Sequence, residues 1–333
     1  MTGADDALPD VLAPIGACRR PLLLGHVRAD VDTVGSLAAM ALTMREVGKE
    51  PLVGIQWALV PQRLQGLYTW AGVEPDEQPD VAASDLVIVL DTAARSRVNI
   101  ACGFDGLKDR PIVNIDHHVT NERFGRWNYI DPHASSTSEM VYHMLRRLDW
   151  PITPMVATML YAGIHGDTGG FSLPNTTFRS LEVASELAGA GARIAEVCRR
   201  ILRSQTRGEF NLLRLIYENT RISEDGRVAW STADHGEIVS TGCNHTDIDE
   251  QVAVPRSLEG AQIALLFTEG LPGRVRINFR GEGDVDVLTL AKEFGGGGHR
   301  NSAGTVVRDR PLAEVVERVV SRAVQYLTER YPR

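Results

Sequence analysis

Imidazoles and carboxylates gather in four short runs of this chain, and each run follows a stretch that reads as a buried element. Gly25-His26-Val27-Arg28-Ala29-Asp30-Val31-Asp32 follows three leucines, and Asp91 follows Leu86-Val87-Ile88-Val89-Leu90. Asp116-His117-His118 follows the β-branched stretch that ends in Asn114-Ile115, and Asp167 follows the apolar stretch from Met155 to Ile164. Polar groups at the ends of buried elements are costly without a partner. A pair of divalent cations is the simplest partner that suits them all. Mixed His and Asp donors suit Mn(II), with Mg(II), Co(II) and Zn(II) as the other candidates. Each run taken alone is equally a helix cap or a solvated loop. It is the combination, repeated at the ends of several elements, that points to metal chemistry.

The elements that must position these runs alternate in type. Strands are expected at 21–25, 52–55, 86–90 and 112–115. Helices are expected at 33–47, 136–148, 154–164, 177–190 and 193–203, with a polar arm and short helix at 1–20 and a variable stretch at 62–85. Such alternation predicts an α/β fold with a mostly parallel sheet and helices on both faces. Ligand sites in such sheets lie at the carboxyl ends of the strands. A helix at 206–220 reads as a connector. Strands at 228–232, 263–268, 274–279 and 306–307, with helices at 285–294 and 311–326, then predict a smaller mixed-sheet α/β domain. The expected boundaries are 1–204 for a catalytic domain, 205–222 for a helical linker and 223–333 for a substrate-binding domain, with the active-site cleft between the two domains.

Composition narrows the partners. The net charge of −8 does not suit a protein that coats long duplex nucleic acid. It does suit a small anionic substrate if metals invert the local field. No run approaches 18 apolar residues, so no membrane span is expected. Met1 to Asp10 lacks the pattern of a secretory signal. Cys18, Cys102, Cys198 and Cys243 are scattered and read as free thiols, which predicts a cytoplasmic location. Of the nine histidines, His133, His143, His165, His235 and His245 fall outside the chemical runs and read as structural or solvated.

Near the C-terminus, Gly295-Gly296-Gly297-Gly298 is followed by His299 and Arg300. Glycines let a backbone approach a phosphate closely, and His299 and Arg300 add donors. The alternative is a flexible loop. Arg280 ends the strand upstream, and Arg276 falls on the same side of that strand but reads as a surface charge.

With these motifs in place, the chain resembles the DHH phosphoesterase superfamily with its DHH-associated C-terminal domain. The resemblance rests on GHVRADVD at 25–32, Asp91, NIDHH at 114–118, GDTGGF at 166–171, and the run from Gly295 through Arg300-Asn301-Ser302-Ala303-Gly304. One departure is Ala29, where the family often has proline; that position shapes the loop and is not a ligand. Size and layout are most similar to the nanoRNase and pAp phosphatase branch, whereas family II pyrophosphatases lack the glycine–histidine tail. The resemblance implies two Mn(II) ions, one bound by His26, Asp30 and Asp91 and the other by Asp32, Asp91, His117 and Asp167, with Asp91 bridging. It implies that Asp116 orients the histidines and that His118 sits near the phosphate or donates a proton. It places Arg280, Gly296, Gly297, Gly298, His299, Arg300 and Ser302 at the substrate. The implied activity is hydrolysis of short RNA such as pApA to 5′-mononucleotides and removal of the 3′-phosphate of pAp. Cyclic di-AMP hydrolysis is the alternative, and a non-catalytic nucleotide-binding regulator is the alternative of another class. A homodimer through the N-terminal domain is compatible with the family.

Overall fold

The runs Leu22–Leu24 and Leu86–Leu90 are apolar at every position because both faces of their sheet are covered. The computed structural model describes residues 4–202, 206–243 and 249–332. The chain divides into two compact units, residues 1–204 and 205–333.

The first unit runs α1 (Ala4–Ala17), β1 (Pro21–Leu24), α2 (Val31–Glu46), β2 (Leu52–Val53), α3 (Gln62–Ala71), β3 (Leu86–Leu90), β4 (Ile112–Asp116) and β5 (Trp127–Ile130). It continues with α4 (Thr137–Arg147), α5 (Pro154–Asp167), α6 (Phe178–Gly189) and α7 (Ile194–Leu202). The sheet order is β2-β1-β3-β4-β5, and every pair is parallel. Strand alternation sorts the side chains. Leu23, Ile88, Leu90, Val113 and Ile115 join the large core that holds α2, α4 and α5. Leu22, Leu24, Val87, Val89 and Ile112 pack on the other face against Val98, Ile100, Leu107 and Phe124. That second face is closed by loops and by 3₁₀ turns at Val81–Ala83 and Phe104–Leu107, where the sequence suggested helices on both faces.

Helix α5 is buried continuously from Val156 to His165. It crosses α2 at a pair of glycines. A Cβ on Gly35 would lie 2.5 Å from Met159 O, and one on Gly163 would lie 1.9 Å from Ser138 Oγ and 2.7 Å from Asp32 Oδ1. Backbone meets backbone there, and no larger residue fits at either position without a shift.

The second unit runs α8 (Arg207–Glu218), β6 (Arg221–Ile222), β7 (Val228–Ala233), α9 (His235–Thr241), α10 (Ala253–Arg256), β8 (Ile263–Leu271), β9 (Arg274–Gly281), α11 (Val287–Lys292), β10 (Gly297–His299), β11 (Ser302–Arg308) and α12 (Leu312–Arg330). Its sheet is mixed, in the order β10-β11-β9-β8-β7-β6, with β7 and β8 parallel and the other pairs antiparallel. One face packs on α11 and α12, and the other packs on α8, α9 and α10. Helix α8 begins with a capping box between Thr206 and Glu209 and buries Leu212 and Ile216 beside Ala233, Ile238 and Leu266. It is thus part of the second core, not a bare connector.

Several local readings differ from the structure. The stretch 62–85 contains α3, and α5 continues three residues past the expected end, so Asp167 is its last residue instead of a loop residue. The short strands β5, β6 and β10 carried no periodic signal. His245 and the expected helix end at Arg203 lie outside the described residues. Among the described residues, no helix is long and apolar enough to cross a membrane.

Candidate metal centre

Asp91 is the residue on which the first unit converges. It directly follows β3, is 1% exposed, and holds a left-handed backbone with φ 55°. That conformation is uncommon outside glycine and is tolerated best by short polar residues. Its Oδ2 lies 3.5 Å from His26 Nε2, and its Oδ1 lies 3.7 Å from His117 Nε2 and 3.8 Å from His118 Nδ1. Hydroxyls fix the carboxylate: Thr33 Oγ1 donates to Oδ2 at 2.6 Å and Thr137 Oγ1 to Oδ1 at 3.2 Å.

On one side stand His26 and Asp30. His26 Nε2 is 3.7 Å from Asp30 Oδ2, while Nδ1 lies 2.8 Å from Val27 O, which turns Nε2 inward. Asp30 caps α2 by accepting from the Thr33 N–H at 3.0 Å. Arg97, an exposed residue, brings its guanidinium to 3.2 Å from His26 Nδ1 at the rim of the centre. On the other side stand His117 and Asp167, with His117 Nε2 3.5 Å from Asp167 Oδ2.

Asp32 is buried beneath these groups and accepts from the first backbone amides of α4, Thr137 N–H at 2.7 Å and Ser138 N–H at 2.9 Å. A helix N-terminus is a natural seat for a carboxylate. The peptide N–H groups of Thr137 and Ser138 therefore hold a residue of the centre. Asp116 accepts from His118 Nδ1 at 2.6 Å on one oxygen and from Asn121 Nδ2 at 2.7 Å on the other. Although His118 is nearly as close to Asp91 as His117 is, its Nδ1 is already committed to Asp116.

Electrostatics in the centre are frustrated. Burial opposes a charge on His26, but the carboxylates of Asp30 and Asp91 outweigh it and push the imidazole up to about 10. His118 is likewise raised, to about 9, because Asp116 and Asp91 overcome its burial. Burial, together with neighbouring carboxylates that include Asp91, holds Asp32 and Asp167 well above the usual carboxylate range. Asp30 is half exposed and is held charged by His26, but Asp32 and Asp91 are buried and Asp167 is partly covered, and these crowded carboxylates cannot all carry charge without cations. Donors sharing one ion at bond lengths of about 2.1 Å stand roughly 3.0–3.5 Å apart, near the separations seen around Asp91. Two groups could hold an ion: His26, Asp30 and Asp91, and Asp91, His117 and His118. The donor set thus fits divalent cations on chemistry, spacing and charge.

Sequence reasoning did not single out Thr33, Gly35, Asn121 or Gly163. Asn175 Nδ2 donates to Asp167 O and to Ser135 O, both at 3.0 Å, and so ties the end of α5 to the start of α4.

The second unit brings its own candidates together by register. Arg280 on β9 pairs with Ser302 on β11, which pairs with His299 on β10, so the three are directly opposed neighbours across three strands. Gly298 has φ 140°, and a Cβ there would lie 2.5 Å from Ser302 O. The strand pair closes only with glycine at that position. Arg300 forms part of the tight turn after His299, and its guanidinium donates to Asp284 O at 2.8 Å.

The fold and the centre define a two-unit α/β protein with a buried His/Asp metal centre at the carboxyl ends of a parallel sheet. Residues 21–164 match the DHH family, N-terminal domain, and residues 233–329 match the DHHA1 domain. The chain belongs to the DHH family with an attached DHHA1 domain. It is 30% identical over 303 residues to the bifunctional oligoribonuclease and PAP phosphatase NrnA of Thermus thermophilus, covering 91% of this chain and 89% of that one. The protein of the same name from Bacillus subtilis is 29% identical, covering 88% and 93%. A solved structure of an exopolyphosphatase-related protein from Bacteroides fragilis matches with a TM-score of 0.86 at 21% identity, covering 97% of this chain and 96% of that one, and shares the fold.

Proposed function

We propose that this chain is a metal-dependent phosphoesterase that hydrolyses short oligoribonucleotides such as pApA to 5′-mononucleotides and removes the 3′-phosphate of pAp. The observation that carries the reading is Asp91, a buried carboxylate whose two oxygens face imidazoles from separate runs of the chain. The names of the two relatives near 30% identity support the substrate class.

In this reading, two Mn(II) ions would be held by His26, Asp30 and Asp91 and by Asp32, Asp91, His117 and Asp167. When bound, such ions neutralise phosphate charge and acidify water. The chain supplies the rest. Asp116 accepts a hydrogen bond from His118 Nδ1, so proton transfer at His118 falls to Nε2. Asp116 favours the protonated form of His118, which makes its Nε2–H the group placed to give a proton to a leaving oxygen. Thr33 and Thr137 keep Asp91 from rotating as charge builds up. Arg280, His299 and Ser302, with Arg300 and the backbone of Gly296, Gly297 and Gly298, grip the phosphate at the far end of a short substrate. A cytoplasmic setting and a homodimer belong to the same reading.

The test is AMP release from pApA by the purified chain with Mn(II), repeated after EDTA and after re-addition of Mg(II), Co(II) or Zn(II). Release that EDTA stops and metal restores is the expected result. Bound metal without release from pApA, pAp or cyclic di-AMP would move the chain to the non-catalytic regulator class.

A further inference from the structure

Three segments leave the carboxyl ends of the adjacent strands β2, β1 and β3, and together they line a cavity of about 640 Å³. Gln56 comes from the first segment, Val27 from the second, and Arg95, Val98, Phe104 and Lys108 from the third. In parallel sheets this end is where ligands bind, and the volume lies within the roughly 300–1,000 Å³ usual for small-molecule sites. The cavity shares a wall with the metal centre. Val27 follows His26 directly, its N–H donates to Arg97 O at 2.7 Å, and Val98 pairs with His26 in an isolated bridge.

Its chemistry is mixed in a specific way. Val27, Val98 and Ile100 form an apolar side. Phe104 is braced edge-on by Phe124, with centroids 5.4 Å apart at 87°, and the Arg95 guanidinium lies over its ring at 5.5 Å. The guanidinium covers one face of the half-buried ring, and the pair presents a cationic, delocalised surface of the kind on which nucleobases stack. Gln56 offers an amide that can both donate and accept. Beneath it, Asn99 is 1% exposed; its Oδ1 accepts from Gln56 N–H at 3.1 Å, and its Nδ2 has no protein partner. Arg95 and Lys108 outnumber Asp105 among the charged lining residues.

We infer that this cavity seats the base and ribose of the nucleotide flanking the scissile phosphate, with Phe104 and Arg95 as the stacking platform and Gln56 reading the base edge. The inference deepens the phosphoesterase reading and rests on it for the identity of the reacting phosphate. A site for phosphate alone would have no use for the apolar wall and the ring. An apolar ligand would have no use for two cations.

Cys102 lines the same cavity and is exposed, which gives a direct probe. The intact chain is alkylated with iodoacetamide in Mn(II) buffer with or without AMP, and adducts are mapped by peptide mass. The expected result is loss of most of the Cys102 adduct with AMP, while the Cys243 adduct is unchanged. Equal labelling with and without AMP, or equal protection by inorganic phosphate, overturns the inference. A second arm uses Gln56→Ala, Arg95→Ala and Phe104→Ala. The ratio of kcat/KM for pApA to that for base-free bis(p-nitrophenyl) phosphate should fall about ten-fold, the size of one base–aromatic stack. An unchanged ratio in Gln56→Ala and Arg95→Ala overturns it even if Phe104→Ala fails to fold. AMP protection of Cys102 in a chain that hydrolyses neither substrate would sink the hydrolytic reading and leave the nucleotide seat standing.

Discussion

The centre around Asp91 and the glycine-rich edge around His299 solve different problems. In the first unit Asp32, Asp91 and Asp116 are buried, with Asp30 exposed at the rim, and each of the three buried carboxylates is held by a second polar group. Asp32 sits on the amides of α4, Asp116 on Asn121, and Asp91 on two threonine hydroxyls. In the second unit Gly297, Gly298, His299 and Arg300 are exposed, and Arg280 and Ser302 are only partly covered. Their relative positions come from strand register alone. Burial makes the first site costly to assemble and strict in geometry. Exposure makes the second inexpensive and adaptable, which suits gripping over reacting.

Mutations can break this contrast. The largest effect is expected for Asp91→Ala, which should lower kcat at saturating metal by at least about a thousand-fold, beyond the cost typical of outer residues. Full activity at high metal would remove Asp91 from its central place. Asn175→Ala should come next, with a loss of about 10–100-fold in metal affinity or activity because the end of α5 loses its tie to α4; metal titration followed by turnover checks it. Arg280→Ala should raise KM for pApA about ten-fold, roughly one charge-assisted hydrogen bond, with little change in kcat. A pure kcat loss would show that the exposed edge takes part in chemistry.

The smallest effect is one of pH. In EDTA, His26 and His118 are raised in the folded state to about 10 and about 9 from an ordinary 6.5. Their contribution to stability is complete below pH 6.5 and is lost as pH rises through those folded values. Asp32 and Asp167, also raised, act in the same direction. Thermal unfolding of the metal-free chain should therefore fall to lower temperature between about pH 7 and pH 10. A rise across that window would contradict the buried network.

Much of this was legible in sequence, for reasons the structure makes plain. The strands ending at Asp91 and Asp116 are apolar at nearly every position, and the acids and histidines that follow them have no apolar role to play. The supporting shell was not legible. Thr137 and Ser138 lie more than a hundred residues from the Asp32 that they hold. Asn121 and Asn175 look like loop residues until the turns that carry them fold back on the centre. Strand β5 has four residues, of which Trp127 and Asn128 are half-buried, and α3 carries Gly66 in mid-helix, so neither shows a clean period. Register, which places Arg280 beside Ser302 and His299, is a product of the whole second sheet and of no single motif.

The crossing at Gly35 and Gly163 has a consequence of another kind. Helix α2 starts with Asp32 in its first turn, and α5 ends with Asp167. Where they cross, the separation is set by peptide groups in contact, not by side chains that could trade size for size. The two helices that carry Asp32 and Asp167 are therefore held together at Gly35 by backbone contact, and an added methyl group at either glycine would press on the elements that frame the centre.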